Sequence, residues 1–400
     1  MKKVSQSDIV LTGLAIFSML FGAGNLMYPI EAGMKSGSHL TIGLSGFMIT
    51  AILLPLAGLI GMILFNGNID EFFNRLGKPV GQTLLGLCVI VIGPLIAIPR
   101  IVTLSYTMIS PFLPFSFFSQ PGILPSFVFT LLFLALTFLA TFRENKIMQI
   151  LGYIISPTLL FSLLIIIIKG IITADSAILN HASRAQVFTS NLMGGYETLD
   201  LLGTIFFASI ILHILKNTLG HAMENNTRLL AIVSLKSGII GVSLLGLVYV
   251  GMGILGAYHG HDLSHIVTTD TLFREIAFKI MGSYGAALIG TAVLMACLST
   301  SIALSAVVAE YVENKVCKQK ISFASALLLT LITCVPLSIA GLGYVRKITG
   351  GPLLYVGYPV LITLTLCNIA YKLWGFKPVK LPVLITFLIT LTSYIAASAW

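Results

Sequence analysis

Charged residues make up only 9% of this 400-residue chain, against 57% hydrophobic residues. That scarcity excludes a soluble fold, which could not cover so much apolar surface, and points to a polytopic membrane protein. Cysteine is sparse too: Cys88, Cys297, Cys317, Cys334 and Cys367 are odd in number and lie mostly within apolar runs. No CxxC pair occurs, so neither a zinc site nor a disulfide framework is indicated. No Walker A sequence supports ATP-driven transport. Without HExxH or GxSxG, an intramembrane hydrolase has no visible metal site or nucleophile. The apolar runs lack in/out alternation, which excludes a transmembrane β-barrel. The longest polar connections, about 174–197 and 258–280, are too short for a separate soluble domain.

What the chain does have is length of apolar sequence. A crossing needs roughly 20 apolar residues. The pattern predicts eleven, at about 9–30, 40–65, 82–111, 122–141, 148–172, 199–217, 229–257, 284–309, 321–342, 351–371 and 381–400. A twelfth follows if the long third run is two segments. The first run is too long and too glycine-broken for a cleaved signal peptide, and reads as a retained helix. The formal net charge is +9, and with the N-terminus inside, fourteen Lys and Arg fall on the cytoplasmic side and seven opposite. The positive-inside rule accounts for that excess, so it sets topology and indicates no nucleic-acid partner.

Inside the first run, Phe21-Gly22-Ala23-Gly24-Asn25 and Pro29 interrupt a stretch that would otherwise cross the bilayer as one helix. Loosened peptide groups at that depth are tolerated only beside protein or a water-filled cavity. Breaks of this kind hold substrate and coupling ion in secondary transporters. The outer half-helix would offer N–H groups to an anion, and carbonyls around Ser18 and Phe21 would face a cation. The plainer alternative is that Gly22 and Gly24 let two helices pack closely. The loop at 174–197 divides two five-helix halves, each opening on an interrupted helix. In the second half the interrupting residues are Gly203, Thr204, Ala208, Ser209 and His213.

Other residues stand out. Ala296-Cys297-Leu298-Ser299-Thr300-Ser301 puts three hydroxyls in an apolar helix. They suit sodium, or they bond back to carbonyls one turn earlier. Arg100 sits deep in the third run, where an ionisable group is functional, snorkels to the surface, or marks a break. Asp200 is either its counter-charge or a residue at the membrane surface. The GxGxxG at Gly251–Gly256 lies in a membrane helix without a βαβ unit and marks no dinucleotide site. His259, His261 and His265 read as a polar loop rather than a metal cluster, and His213 as a proton relay or a satisfied interior histidine.

These residues resemble the bacterial branched-chain amino acid:cation symporters. The likeness runs nearly end to end. It includes Phe21–Asn25 with Pro29, Gly93-Pro94 through Ile98-Pro99-Arg100 with Thr103 and Ser105, and Gly195-Tyr196. It continues through Thr198-Leu199-Asp200, Ala296–Thr300, Ala309-Glu310 and Tyr358-Pro359-Val360. The resemblance implies an all-α fold like that of the bacterial leucine transporter. That means a single domain over 1–400, with inverted repeats at about 9–172 and 199–371, broken first and sixth helices, and an extra helix at about 381–400.

The resemblance also implies a multi-pass protein of the bacterial inner membrane with a cytoplasmic N-terminus, importing leucine, isoleucine and valine with Na⁺ or H⁺ and no cofactor. Ala23, Gly24 and Asn25 would bind the substrate's charged groups through the backbone, and Phe206-Phe207-Ala208 would face its side chain. Carbonyls of Ser18, Phe21 and Ala296, with the hydroxyls of Ser299 and Thr300, would form a sodium cage. The chain departs from the family pattern at Ala208 (usually Gly), at Thr107 (usually acidic), and in a short C-terminus. Other readings are a carrier of the same fold for another small solute, a non-transporting amino acid sensor, or a membrane-embedded enzyme, for which the sequence offers no catalytic set.

Overall fold

The structure is a computed structural model. It describes residues 5–398 apart from 114, 121, 144–145, 175, 220–226, 261–262, 264–270, 283–284, 342, 346–350 and 352. No strand occurs among the described residues. Eight of their helical stretches are long and apolar enough to cross a membrane, and Gln6–Leu20, Phe323–Ile339 and Lys380–Ala396 are shorter apolar helices. Together they make up the eleven crossings expected from the sequence. Large apolar side chains such as Leu132, Phe161, Ile172 and Ile389 stand exposed on their outer faces, as lipid contact requires.

The chain enters α1 (Gln6–Leu20) through a capping box in which Ser5 and Asp8 satisfy each other's backbone N–H groups. Two residues later it resumes as α2 (Ala23–Ser36). The second crossing is α3 (Leu40–Met48) and α4 (Leu54–Leu64), joined by a π turn. A short surface helix, α5 (Ile69–Asn74), leads to α6 (Lys78–Ile90) and α7 (Ala97–Ile109). Between these, a π turn over Val91–Leu95 holds Gly93 outside helical geometry. The helix Ala286–Tyr311 packs along both arms and the turn between them, so the third run is one kinked crossing and not two. Helices α8 (Ile123–Thr141) and α9 (Ser156–Ile172) complete the first half.

The second half begins earlier than hydropathy indicates. Helix α10 (Arg184–Tyr196) occupies much of the span expected to be a loop, and α11 (Asp200–Leu219) follows a three-residue break. The sixth crossing is therefore interrupted at 197–199, while the helix continues unbroken through Phe206-Phe207-Ala208. The reason is chemical. Arg184, Gln186, Thr189 and Ser190 lower the hydropathy of α10 and are exposed, while Val187, Asn191 and Gly195 form a buried face as the helix packs on α2 and α3. Asn191 is only 1% exposed and donates to Ser36 Oγ at 3.1 Å. Then come α12 (Thr227–His259), the short α13 (Leu272–Met281), α14 (Ala286–Tyr311), α15 (Phe323–Ile339), α16 (Tyr358–Trp374) and α17 (Lys380–Ser398).

The two halves mirror each other in packing. Both parts of the first broken helix, α1 and α2, lie against α12, the second helix of the other half. Both parts of the other broken helix lie against the second crossing, α10 on α3 and α11 on α4. The fifth helix of each half also opens alike: the π turns Ile150–Ile155 and Leu353–Gly357 run into α9 and α16, each with proline at its second position, Pro157 and Pro359. Proline within continuous helix removes one N–H from the ladder, and in both halves a π turn stands where that bond is lost.

Candidate functional site

The two breaks meet. At the first, Phe21 N–H closes the last turn of α1 on Phe17 O at 2.8 Å, and Gly22 is extended (φ −104°, ψ −166°). Its N–H turns back to Leu20 O at 3.0 Å. No side chain caps α2, so the N–H groups of Ala23 and Gly24 open its first turn with the positive end of the helix dipole. Both glycines sit in close approach to neighbouring side chains. A Cβ on Gly22 would lie 2.8 Å from Thr300 Oγ1, and one on Gly24 would lie 3.0 Å from an Arg100 terminal nitrogen.

At the second break, Thr198 Oγ1 donates to Gly195 O at 2.9 Å and Leu199 adopts a left-handed φ of 61°. A bulky residue in that region costs on the order of 1–3 kcal/mol and persists only where its surroundings enforce it. Helix α11 then begins, and Tyr358 Oη accepts the N–H of Leu201 at 3.1 Å.

Between the breaks lies a cavity lined by Gly22–Asn25, Arg100, Thr198–Asp200, Gly203, Phe207 and Thr300, among others. It leaves about 60 Å³ for the centres of water molecules. That is enough to admit water beside both breaks, since a single water needs only roughly 10–15 Å³. A larger cavity, lined by Gly67, Asp70, Phe206, Ser209, Tyr311 and Lys315, opens towards the α5 side.

Two buried charges flank the smaller cavity. Arg100 is 5% exposed and Asp200 4%. Arg100 does not snorkel: it donates to Tyr28 Oη at 2.5 Å and to Glu197 O at 3.1 Å, with its guanidinium 5.0 Å from the Tyr28 ring centroid. Asp200 lies at the second break, inside the protein and not at the membrane surface. Its oxygens each accept from Asn25 Nδ2 at 3.1 Å, and one accepts from Tyr249 Oη at 2.8 Å. Asn25 Nδ2 also reaches Leu20 O at 2.9 Å and the Tyr249 hydroxyl, tying the first break to the second.

The residues singled out from sequence divide accordingly. Ala23, Gly24, Asn25, Phe207, Thr300 and Arg100 line the cavity. Phe206 lies instead beside the larger cavity, with its ring 6.3 Å from that of Phe73, and Ala208 is buried in α11 without lining either. Thr300 Oγ1 reaches across to Met19 O at 3.2 Å, so α14 does touch the first break. Ser299 Oγ bonds Ala296 O at 3.0 Å, and Ser18 Oγ bonds Ala15 O at 3.1 Å, both within their own helices. Ser18, Phe21, Ala296 and Ser299 are buried nearby but do not line the cavity.

His259 bonds Gly170 O at 2.8 Å and is structural; His261, His265 and the His213 side chain lie outside the described residues. Thr107, in the place of the family's acidic residue, offers its carbonyl to Arg274 at 2.9 Å. Among the described residues, no group of three or more His, Cys, Asp or Glu side chains could hold a metal ion. Sequence reasoning missed Tyr249, a lone tyrosine in an apolar span, and gave no role to Tyr358, which it had named only within the family likeness.

Residues 5–400 match the family described as branched-chain amino acid transport protein. The branched-chain amino acid permease BraB of Bacillus subtilis is 27% identical, over 92% of this chain and 81% of its own length. The permease BrnQ of the same organism is 28% identical, over 94% and 84%. Among solved structures, a Na⁺-coupled sialic acid symporter superposes with a TM-score of 0.56 at 12% identity, covering 98% of this chain and 90% of its own. A manganese transporter from Eremococcus coleocola reaches 0.60 at 14% identity, covering 98% and 88%. At such identities these structures establish the fold, the five-helix inverted repeat with broken first and sixth helices.

Proposed function

The chain belongs to the branched-chain amino acid transport protein family, and from that premise we propose that it is a symporter importing leucine, isoleucine and valine by alternating access. It is a multi-pass membrane transporter and not an enzyme. The observation that carries the reading is the meeting of two mid-membrane helix breaks at one cavity, lined by Gly22–Asn25, Arg100 and Asp200. Helix ends and polar groups there read the part common to all α-amino acids, while Phe207, Leu202 and Leu304 leave an apolar remainder for the side chain. An apolar pocket distinguishes one methylene by only about 1–3 kcal/mol, so overlapping use of the three substrates is expected.

The coupling ion is Na⁺ or H⁺. Thr300, spanning from α14 to the first break, supports a cation site between those elements, with Ser18, Phe21, Ala296 and Ser299 as the neighbouring oxygen donors. The excess of basic residues on the N-terminal side supports a cytoplasmic N-terminus in a bacterial inner membrane. In this reading, 1–400 forms one transport domain whose repeats end near 172 and 371.

Radiolabelled leucine uptake into proteoliposomes under imposed sodium or proton gradients tests the proposal. Concentrative accumulation driven by one gradient and competed by isoleucine and valine is expected. Binding without flux would instead mark a sensor.

A further inference from the structure

Arg100 and Asp200 face one cavity with opposite charges, yet each bonds only neutral partners. Arg100 donates to a tyrosine hydroxyl and a main-chain carbonyl, and Asp200 accepts from an amide and a tyrosine hydroxyl. Buried charges left uncompensated by a counter-charge are costly, and inside a membrane protein they mark a ligand path. A ligand carrying both charges on adjacent atoms compensates the two residues together. A singly charged or neutral solute leaves at least one of them uncompensated.

The placement also gives the ligand a direction. The Arg100 guanidinium lies beside Gly24, so close that a Cβ would sit 3.0 Å from its nitrogen, and therefore beside the free amides that open α2. Donors gather at Gly24 and Arg100, and the Asp200 carboxylate lines the same cavity from the second break, bonded to Asn25. We infer that Arg100 and the amides of α2 take the carboxylate of an α-amino acid, while Asp200, held by Asn25 and Tyr249, takes its ammonium group. This rests on the amino acid transport reading and adds which residues read which end of the zwitterion. The preference for a doubly charged ligand is then a property of two side chains on different helices, and each end can be broken separately.

The test is a binding competition on the purified full chain, with radiolabelled leucine displaced by 4-methylpentanoate, which lacks the amine, or by 3-methylbutylamine, which lacks the carboxylate. In the wild-type protein each analogue should compete at least about 100-fold more weakly than unlabelled leucine, the scale for stripping one partner from a buried charge pair. Asp200→Asn should weaken leucine by a similar factor while narrowing the gap between leucine and 4-methylpentanoate. Arg100→Gln should narrow the gap for 3-methylbutylamine instead.

If the wild-type protein binds leucine but either analogue competes as well as leucine does, the charge assignment is overturned and the transport reading stands. The wild-type arm needs no variant to fold. If Asp200→Asn keeps leucine affinity and loses only its response to sodium or pH, Asp200 carries the coupling ion and the assignment fails. A wild-type chain that binds no α-amino acid overturns both readings.

Discussion

Two of the regions where opposite charges gather in this protein are arranged in opposite ways. On the face carrying α5 they are paired and partly wet. Lys315 lies 2.6 Å from Asp70 and Lys372 lies 3.0 Å from Glu71, with every one of these side chains more than a quarter exposed. Arg75 stacks 3.7 Å over the Tyr371 ring and donates to the carbonyls of Phe376 and Lys377. At the mid-membrane cavity, Arg100 and Asp200 are almost fully buried and bond to neutral groups. Water makes pairing easy and weak at the surface, where an ion pair contributes about 0–1 kcal/mol. In the interior an unpaired charge is so unfavourable that its persistence calls for a ligand. The first region holds helices together, and the second is the site we propose for a ligand that comes and goes.

The contrast should break most sharply at Gly24. Its Cβ position is 3.0 Å from Arg100 and 3.3 Å from the Tyr28 ring. In Gly24→Leu, an isobutyl group would fill the donor side of the cavity and block the amides of α2. Leucine uptake should fall to background while the protein still reaches the membrane, as quantified in the membrane fraction. Normal uptake by this variant would remove the first break from the binding site.

A finer division concerns the hydroxyls of α14. Ser299 bonds within its own helix at 3.0 Å, whereas Thr300 bridges to Met19 O at 3.2 Å. Thr300→Ala should therefore raise the cation concentration needed for half-maximal uptake by about five-fold, the effect of one hydrogen bond of roughly 1 kcal/mol. Ser299→Ala alone should change it less, and the double variant should alter ion activation more than selectivity among leucine, isoleucine and valine. Unchanged ion activation in the double variant would show that α14 holds no coupling ion.

How far the sequence foretold this depends on what surrounds each segment. The first break was legible because Gly22-Ala23-Gly24-Asn25 interrupts a run that is otherwise apolar enough for lipid. The second was misplaced because α10 is polar, and hydropathy asks whether a segment suits lipid, while Asn191 and Gly195 face protein. Gly195 packs so tightly that a Cβ would lie 2.0 Å from Thr50 Oγ1, an arrangement no one-dimensional pattern reveals. Displacing the break from 197–199 moved the expected pocket to Phe206–Ala208, of which only Phe207 reaches the cavity. Arg100 and Asp200 were each visible as oddities. That they face one cavity depends on the third and sixth crossings meeting, which is tertiary information.

The smallest effect belongs to the surface cluster, and it carries a pH signature. Partial burial alone would raise the Asp70 carboxyl, but hydrogen bonds from Lys315 and Gln82 and the ammonium charge outweigh it and hold it below its ordinary value of 3.8. A carboxyl with a depressed folded value contributes its stability fully above the ordinary value and loses it as pH falls through the lower one. With Asp70 39% and Lys315 43% exposed, solvent screening limits the pair to about 0.2–1 kcal/mol, less at high salt. Lys315→Ala should therefore lower the thermal midpoint slightly near neutral pH. The difference from wild type should fade in high salt, and again as pH drops below the ordinary carboxylate value, when followed by thermal unfolding in detergent. A large loss that persists at high salt and low pH would mean that α5 is held by packing rather than charge, and the division between a wet, weakly paired face and a dry, ligand-seeking cavity would have to be redrawn.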